Sequence, residues 1–273
     1  MSMTFPQPTK RALSWLRKRT WVQFAFLFIW LDPLMLRLQN VCGPVFHCYA
    51  CPLALFACPI GVLANFSALH VFPYLAVGTL LVVGGIVGAF ICGWVCPFGF
   101  LQDLFAKIPT KRFTIPLWGG YLRYGVLIVL VLAVPFIWSE TSAFFICRLC
   151  PAGAIEGAVP YMAKAALAGK AVVWPSVAKI TITALFLVAI VFTYRPWCTL
   201  LCPLGAIFGI ANHFSAVFLR FNPKGCTNCK ACRRLCRYDV KPDLRANDPR
   251  CIRCLECTRC GGITVGSVFR AEK

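Results

Sequence analysis

Eight of the 18 cysteines lie near the C-terminus in two regularly spaced runs. The first reads Cys226-x2-Cys229-x2-Cys232-x3-Cys236, and the second reads Cys251-x2-Cys254-x2-Cys257-x2-Cys260. Such runs are typical of proteins with two [4Fe–4S] clusters, in which three closely spaced cysteines bind one cluster and the fourth binds the other. The spacing therefore predicts one cluster on Cys226, Cys229, Cys232 and Cys260, and a second on Cys251, Cys254, Cys257 and Cys236.

Two other interpretations of these runs are weaker. Zinc sites normally use two spaced pairs of ligands with a longer gap between them. A disulfide framework needs an oxidising compartment, which the charge distribution described below disfavours. The runs depart from the usual pattern because Arg237 and Gly261 stand where proline normally follows the fourth cysteine, and because the last gap has two residues instead of three. These departures weaken the individual assignments of Cys236 and Cys260 more than the prediction of two clusters.

Four short segments earlier in the chain resemble one another and indicate a duplication. Each has the form Cys-Pro-x-Gly, beginning at Cys58, Cys96, Cys150 and Cys202, and each has a further cysteine upstream. Proline turns the chain after the cysteine, and glycine lets the backbone approach a bulky cofactor. We call these segments elbows. Each half of the chain is expected to contain a helix, an outer elbow, a second helix and an inner elbow.

The duplication predicts that corresponding elbows of the two halves meet and together bind further clusters of the same [4Fe–4S] type. The inner set is Cys92, Cys96, Cys198 and Cys202. The outer set is Cys48, Cys51, Cys58, Cys147 and Cys150. One outer cysteine is surplus, because Cys51 and Cys58 both resemble the elbow cysteine of the second half, and Cys42 is left over. The expectation is one or two further clusters, with iron bound through these cysteines.

The elbows have three alternative interpretations. In the first, the elbows are structural turns with buried thiols, since free cysteine behaves as a small hydrophobe. In the second, the outer cysteines form disulfides on the oxidising side of a bacterial membrane. Covalent haem is disfavoured, because a c-type site needs Cys-x2-Cys-His and proline occupies the histidine position at Pro52 and Pro151.

Composition indicates a membrane protein. The 273 residues are 59% hydrophobic and only 14% charged, against roughly 25% charged in soluble domains. The net charge of +19 is typical of cytoplasmic loops and suits anionic lipid or an acidic redox partner. Nucleic acid binding is improbable for so apolar a chain.

Four apolar runs are long enough to cross a bilayer as helices, at about residues 21–40, 71–91, 121–138 and 176–195. Basic residues concentrate in the N-terminal arm, in the loop between the second and third runs, and in the C-terminal segment. The positive-inside rule then predicts a multi-pass protein of a bacterial or archaeal cytoplasmic membrane with both termini cytoplasmic. Proline after Asp32 predicts a kink in the first run.

The expected fold class is a membrane all-α protein, with four transmembrane helices as two tandem two-helix repeats and a small C-terminal α+β double-cluster module. The domains are a basic cytoplasmic arm over 1–20, a transmembrane domain over 21–219 and a ferredoxin-like domain over 220–273. Residues 152–174 are expected to form an interfacial or re-entrant helix and 203–219 a connecting helix. The segment Ile263–Phe269 has strand character.

Twin Cys-x3-Cys-Pro elbows, four apolar runs and a C-terminal double-cluster module resemble the NapH-type membrane ferredoxins, which are quinol dehydrogenase subunits. The membrane part of NosR-type proteins is similar. The resemblance covers about residues 20–273 and implies electron transfer between the quinone pool, cytoplasmic-side clusters and a periplasmic partner. No covalent-flavin motif is present, so any flavin belongs to another subunit.

These observations favour an electron-transfer subunit of a larger respiratory complex, of quinol dehydrogenase type, with no catalytic residues of its own. Its partners are expected to be lipid, quinone and a cytochrome, flavin or iron–sulfur protein. The alternative is an iron–sulfur redox sensor or maturation factor without turnover. A transporter is disfavoured, because transport usually needs intramembrane polar residues and Asp32 alone is a poor candidate.

Ionisable groups suited to quinone chemistry are few. His70 is the best single candidate for a quinone site, because quinol oxidation needs a proton acceptor. The other groups in or near the outer half are His47, Asp32, Glu140 and Glu156. A histidine that only hydrogen-bonds backbone at the end of a helix is the more frequent case, however.

Overall fold

The computed structural model describes residues 10–32, 36, 38–48 and 50–269, without the side chains of residues 10–18, 117 and 224. Helices make up most of this part of the chain. In order they are α1 (Lys10–Trp30), α2 (Pro59–Ala68), α3 (Tyr74–Val87), α4 (Phe90–Trp94), α5 (Pro97–Phe105), α6 (Trp118–Trp138), α7 (Ile146–Leu149), α8 (Val159–Leu167), α9 (Val177–Phe192), α10 (Pro203–Ala211) and α11 (Ala231–Leu235). Turns of π-helix occupy Val126–Ala133 within α6, and also Gly153–Ala158 and Trp197–Leu201.

The prediction of four transmembrane helices is wrong. Among the described residues, α6 alone is long and apolar enough to cross a membrane. The 14 residues of α3 and the 16 of α9 reach only about 21 and 24 Å at 1.5 Å per residue, short of a hydrocarbon core of about 30 Å. The sequence pattern overestimated both helices, because α3 begins only after Pro73 and ends at Gly88, while α9 ends where the backbone becomes extended at Thr193.

The first expected span also differs from the prediction. Helix α1 begins at Lys10, ends at Trp30 and therefore includes basic residues of the predicted N-terminal arm. Arg19 is buried, at 7% exposure. Asp32 follows the helix at a positive φ of 46°, and its Oδ1 accepts a hydrogen bond of 2.8 Å from the amide of Leu36. The predicted kink at Pro33 lies outside the described residues.

A two-stranded antiparallel sheet joins the C-terminal module to the preceding chain. Strand β1 (Val217–Phe221) pairs with β2 (Ile263–Ser267), with Val217 opposite Ser267 and Phe221 opposite Ile263. The expected strand at the C-terminus is present, but the expected helix over 203–219 ends at Ala211. The predicted interfacial helix corresponds to α8, which has no buried residue.

The core lies where the elbows of the two halves meet. Phe98 of α5 is 1% exposed and packs against Phe46, Phe186 and Trp197, with ring centroids 5.6, 5.2 and 6.3 Å away. These residues come from both halves of the chain. The aromatic cluster therefore holds the two repeats together directly beside the elbow cysteines.

Candidate metal centres

All four elbows have the same local structure. The elbow cysteine caps or precedes a helix, and its backbone is extended, with φ/ψ of −68/123° at Cys58, −69/120° at Cys96, −71/122° at Cys150 and −71/111° at Cys202. Proline follows at the first helical position, where its fixed φ suits the helix and its missing N–H costs nothing. The sequence motif therefore places one sulfur at the start of a helix four times.

The glycine of each elbow directs a backbone amide at that sulfur. The amides of Gly61, Gly99, Gly153 and Gly205 are within hydrogen-bonding reach of the elbow sulfurs of their own segments. For Gly205, the distance to Cys202 Sγ is 3.4 Å. Helix N-termini and amide donors both favour negative charge. Each elbow is thus suited to a thiolate that binds a metal or cluster.

One cavity is lined by four inner cysteines, two from each half of the chain. Cys92 and Cys96 enter from the first half, and Cys198 and Cys202 enter from the second. All four are buried, at 4 to 8% exposure. Cys251 of the C-terminal module lines the same cavity. We call this space the inner cavity.

A second cavity is lined by four outer cysteines, again two from each half: Cys48 and Cys58, with Cys147 and Cys150. We call it the outer cavity. Phe46 lines both cavities, and its carbonyl oxygen lies 3.9 Å from Cys96 Sγ. The two cysteine groups are therefore neighbours separated by one residue.

The remaining two cysteines of this region lie outside both linings. Cys51 is buried beside His47, and Cys42 is buried with its Sγ 3.9 Å from the carbonyl of Gly43. All 18 cysteines are free, including the outer ones. Within the described residues, no three Cys, His, Asp or Glu side chains are arranged around a single metal ion. A cubane of four irons separates its ligands more widely than one ion does.

Two buried arginines and an amide approach the inner cysteines. Arg195 is 1% exposed, donates from Nη1 to the carbonyl of Cys92 at 2.6 Å, and pairs with both oxygens of Asp103 at 2.8 and 2.5 Å. Gln102, fully buried, donates from Nε2 to Cys198 Sγ at 3.2 Å. Arg123 also lines the cavity. These donors and cations favour negative charge on the inner sulfurs, which burial by itself disfavours.

The outer cysteines have a different electrostatic environment. Glu156 Oε2 accepts a hydrogen bond of 3.0 Å from the amide of Cys48 and makes an ion-pair contact of 3.0 Å with His47 Nδ1, although the angle is not that of a hydrogen bond. Burial lowers the pKa of His47, but its contacts with Cys51 and Glu156 outweigh that effect and raise it to about 9. Lys179 is the nearby cation, close to Cys48 and Cys147.

The C-terminal cysteines are brought together in two groups. The charges of Cys236, Cys251, Cys254 and Cys257 interact, while Cys232 is in hydrogen-bonding reach of Cys260. Gly262, two residues after Cys260, would place a methyl group 3.5 Å from Cys226 Sγ. Cys229 is exposed. The fourth cysteine of each run therefore lies with the other run.

Buried polar contacts dock the module onto the elbow helices. Asn212 donates to the carbonyls of Asp248 and Cys251 at 3.2 and 2.7 Å and accepts from the amide of Ala89 at 3.0 Å. Arg253, at 1% exposure, donates to the carbonyls of Val87 and Asn212 at 3.0 Å each. These contacts place Cys251 against the inner cavity.

Other sequence candidates lie away from the cysteines. His70 is exposed after α2, at a positive φ of 55°, and its ring lies 4.3 Å from that of Phe136. His213 is exposed after α10. Sequence reasoning missed Gln102, Arg123, Arg195 and Asp103 as neighbours of the inner site. A polar residue two turns into an elbow helix, such as Gln102, is a signal that would have indicated one of them.

Comparisons with known proteins agree with this picture. A family model described as a 4Fe-4S binding domain matches residues 69–116 and 177–222, which contain the two inner elbows. The putative electron transport protein YccM of Escherichia coli is 24% identical over 78% of the chain and 59% of its own length. The methylamine utilization ferredoxin-type protein MauN of Methylorubrum extorquens is 30% identical over 69% of the chain and 59% of its own length. The ferredoxin-type protein NapH of Haemophilus influenzae is 25% identical over 66% of the chain and 60% of its own length.

These similarities confirm the resemblance to the NapH-type ferredoxins and support an iron–sulfur electron-transfer protein. NosR also matches, over 22% of its length. The chain spans about three fifths of the length of the three relatives named first. No solved structure matches.

Proposed function

We propose that the chain carries four [4Fe–4S] clusters and passes electrons along them between a quinone and a redox partner protein. The inner cluster has the ligands Cys92, Cys96, Cys198 and Cys202. The outer cluster has the ligands Cys48, Cys58, Cys147 and Cys150, so that Cys51 and Cys42 are not ligands. The C-terminal module holds two clusters in the crossed pattern predicted from its spacing. A bound cluster supplies one-electron transfer.

One observation carries this proposal: four cysteines from both repeats line the inner cavity, which is also lined by a cysteine of the module. The donor set fits the group, because thiolates are the ligands of such clusters and amide donors stabilise their sulfurs. The matched 4Fe-4S segments, which contain these same inner cysteines, support it.

The neighbouring groups suggest an order of transfer. Phe46 separates the outer cavity from the inner cavity, and Cys251 connects the inner cavity with the module. Electrons then pass along one line between the outer cavity and the C-terminal cysteines. The cations Arg123 and Arg195 stabilise the added electron at the inner site, because a reduced cluster is more negative.

Membrane association is part of the proposal. Helix α6 is apolar enough to span, and large apolar side chains on α3, α6 and α9 are exposed, such as Leu81 at 62%, Ile137 at 63% and Leu185 at 65%. Patches of this kind mark partner or lipid contacts. Association with a cytoplasmic membrane remains our prediction, and fractionation of cells that produce the protein tests it; recovery in the soluble fraction would contradict it.

Reduction of the purified full-length protein by menaquinol tests the function. We expect the visible absorption of the clusters to bleach and EPR signals of reduced [4Fe–4S] centres to appear. A Cys96→Ala variant should lose the signal of one centre. A protein that contains no iron–sulfur absorption contradicts the cluster proposal, whereas clusters that dithionite reduces and menaquinol does not contradict the quinone step only. That second result would favour a sensor or maturation factor.

A further inference from the structure

A polar cavity of about 570 Å³ opens at the N-terminal end of α6, between that helix and the C-terminal module. Its lining includes Arg123, Tyr124, His213, Arg245, Asp248 and Arg250. None of the predicted cluster ligands lines it. The volume lies in the range of small-molecule sites.

The cavity has an excess of positive charge. Arg250 pairs with both oxygens of Asp248, with Nε–Oδ1 and Nη2–Oδ2 distances of 3.0 Å each. That carboxylate is therefore already occupied. Within the part of the chain that the structure describes, neither Arg123 nor Arg245 makes a close ion pair. Arg245 acts on the charge of Asp248 from a longer distance, so the three arginines at this cavity share one carboxylate.

Of Arg123 and Arg245, Arg123 gives the stronger evidence for a bound anion. The residue is 2% exposed, and its Nε has no hydrogen-bond partner among the described residues. Its Nη2 donates to the hydroxyl of Tyr124, at 3.3 Å, and its guanidinium lies 5.1 Å from the centroid of that ring. A buried cation without a counter-ion is costly, and an anion in the cavity would remove that cost.

The position of the cavity indicates where the anion comes from. Trp118 and Tyr121, on the first turn of α6, are 75% and 73% exposed. Exposed aromatic residues at the end of an apolar helix are typical of the membrane–water interface. Lipid phosphates lie at that level, and basic pockets there bind anionic headgroups.

We propose that this cavity binds the phosphate group of an anionic phospholipid, held by Arg123 and Arg245. The proposal is independent of the number of clusters. It does have a competitor, because Arg123 also lines the inner cavity and the thiolates there are a second source of negative charge. Arg245 is exposed and lines the polar cavity without lining the inner one. A variant of Arg245 therefore distinguishes lipid binding from an effect on the inner cysteines.

Calorimetric titration of the full-length protein in a non-ionic detergent tests the site. The probes are dihexanoyl-phosphatidylglycerol, dihexanoyl-phosphatidylcholine of the same chain length, and glycerol phosphate as the soluble phosphate ester. The variants are Arg123→Gln and Arg245→Gln, with Lys170→Gln as an exposed control that makes the same charge change elsewhere. Visible absorption and the melting temperature report whether each variant is folded.

We expect phosphatidylglycerol to bind more tightly than phosphatidylcholine, and each arginine variant to weaken its binding about fivefold, with little effect of Lys170→Gln. If glycerol phosphate binds equally tightly with the same arginine dependence, the site stands and its ligand is a soluble phosphate ester. Equal binding of both lipids overturns the proposal, and so does a Lys170→Gln effect equal to that of Arg245→Gln. If Arg123→Gln does not fold, Arg245→Gln decides alone.

Discussion

Gln102 donates a hydrogen bond of 3.2 Å from its Nε2 to Sγ of Cys198, across the interface between the two repeats. Gln102 belongs to the elbow helix of the first half, and Cys198 to the inner elbow of the second. The side chain is fully buried. One amide thus joins the halves and also modifies the electron density of a proposed ligand.

Replacement of Gln102 by leucine should lower the reduction potential of the inner cluster. A hydrogen bond to sulfur stabilises the more negative, reduced state. If about 1 kcal/mol of that bond is specific to the reduced state, the potential falls by about 40 mV for one electron. Redox titration followed by EPR measures the change. Asn65→Leu is the control, since Asn65 donates to the carbonyl of Gly61. Equal potentials in wild type and Gln102→Leu would contradict the role.

The inner cluster should be shared by both halves of the chain. Cys96→Ala and Cys202→Ala should each lose about four iron atoms per chain, and the double variant should lose no more, because both remove the same centre. Iron and sulfide analysis of the purified proteins measures this. Cys42→Ala, a buried cysteine outside both cavities, should keep its iron. A double variant that loses twice as much iron refutes the shared site.

The outer cluster should depend on Cys58 and not on Cys51. Cys58 lines the outer cavity and receives the amide of Gly61, whereas Cys51 lies beside His47. Cys58→Ala should therefore lose about four iron atoms, and Cys51→Ala should retain them. Equal loss in both variants would place Cys51 among the ligands.

Gly93 should be essential for docking of the C-terminal module. A methyl group at this position would clash with the carbonyl oxygen of Ile252, which belongs to the rigid backbone beside Cys251. Overpacking of this kind costs about 1 to 3 kcal/mol, so Gly93→Ala should lower the melting temperature and expose the module to protease. Gly85→Ala is the matched control, because nothing lies within 4 Å of the added methyl group. Similar melting temperatures for the two variants would show that the module is not docked in this way.

Asp103 should stabilise the protein equally from pH 8 to pH 5. Burial alone would raise the pKa of this carboxyl, but Arg195 and Arg19 outweigh it and lower the pKa to about 2. A lowered pKa contributes stability that is fully present well above the unfolded value of 3.8, declines as the pH falls below that value, and is lost as the pH falls through about 2. Asp103→Asn should cost about 3 to 5 kcal/mol, because it leaves buried arginines unpaired. Denaturant unfolding at several pH values measures the difference; a loss that shrinks between pH 8 and 5 is inconsistent with this pKa.

Local sequence alone determined the positions of the cysteines and the turns that carry them. The Cys-Pro-x-Gly motif gives the same backbone angles at Cys58, Cys96, Cys150 and Cys202, since proline fixes φ and has no amide hydrogen to lose at the start of a helix. The strand at Ile263–Ser267 was also predictable, from the strand character of its residues. These features depend on neighbouring residues only.

Helix length and the identity of the surplus cysteine depended on the tertiary structure. Apolar runs at 71–91 and 176–195 have the hydropathy of spans, but the helices end early, at the positive φ of Gly88 and at the extended backbone of Thr193, which pairs with Phe113. Hydropathy does not report where a helix ends. Cys51 and Cys58 both follow the ligand pattern, and only packing against the second half distinguishes the one that lines the outer cavity.

The charges around the inner cysteines were decided by the tertiary structure as well. Arg195 and Asp103 are 92 residues apart, and Arg19 is 84 residues from the same carboxylate. In the sequence, Arg19 belongs to a run of basic residues that indicates a solvated arm. It is buried because α1 packs against α5, and no local pattern specifies such a contact between distant helices.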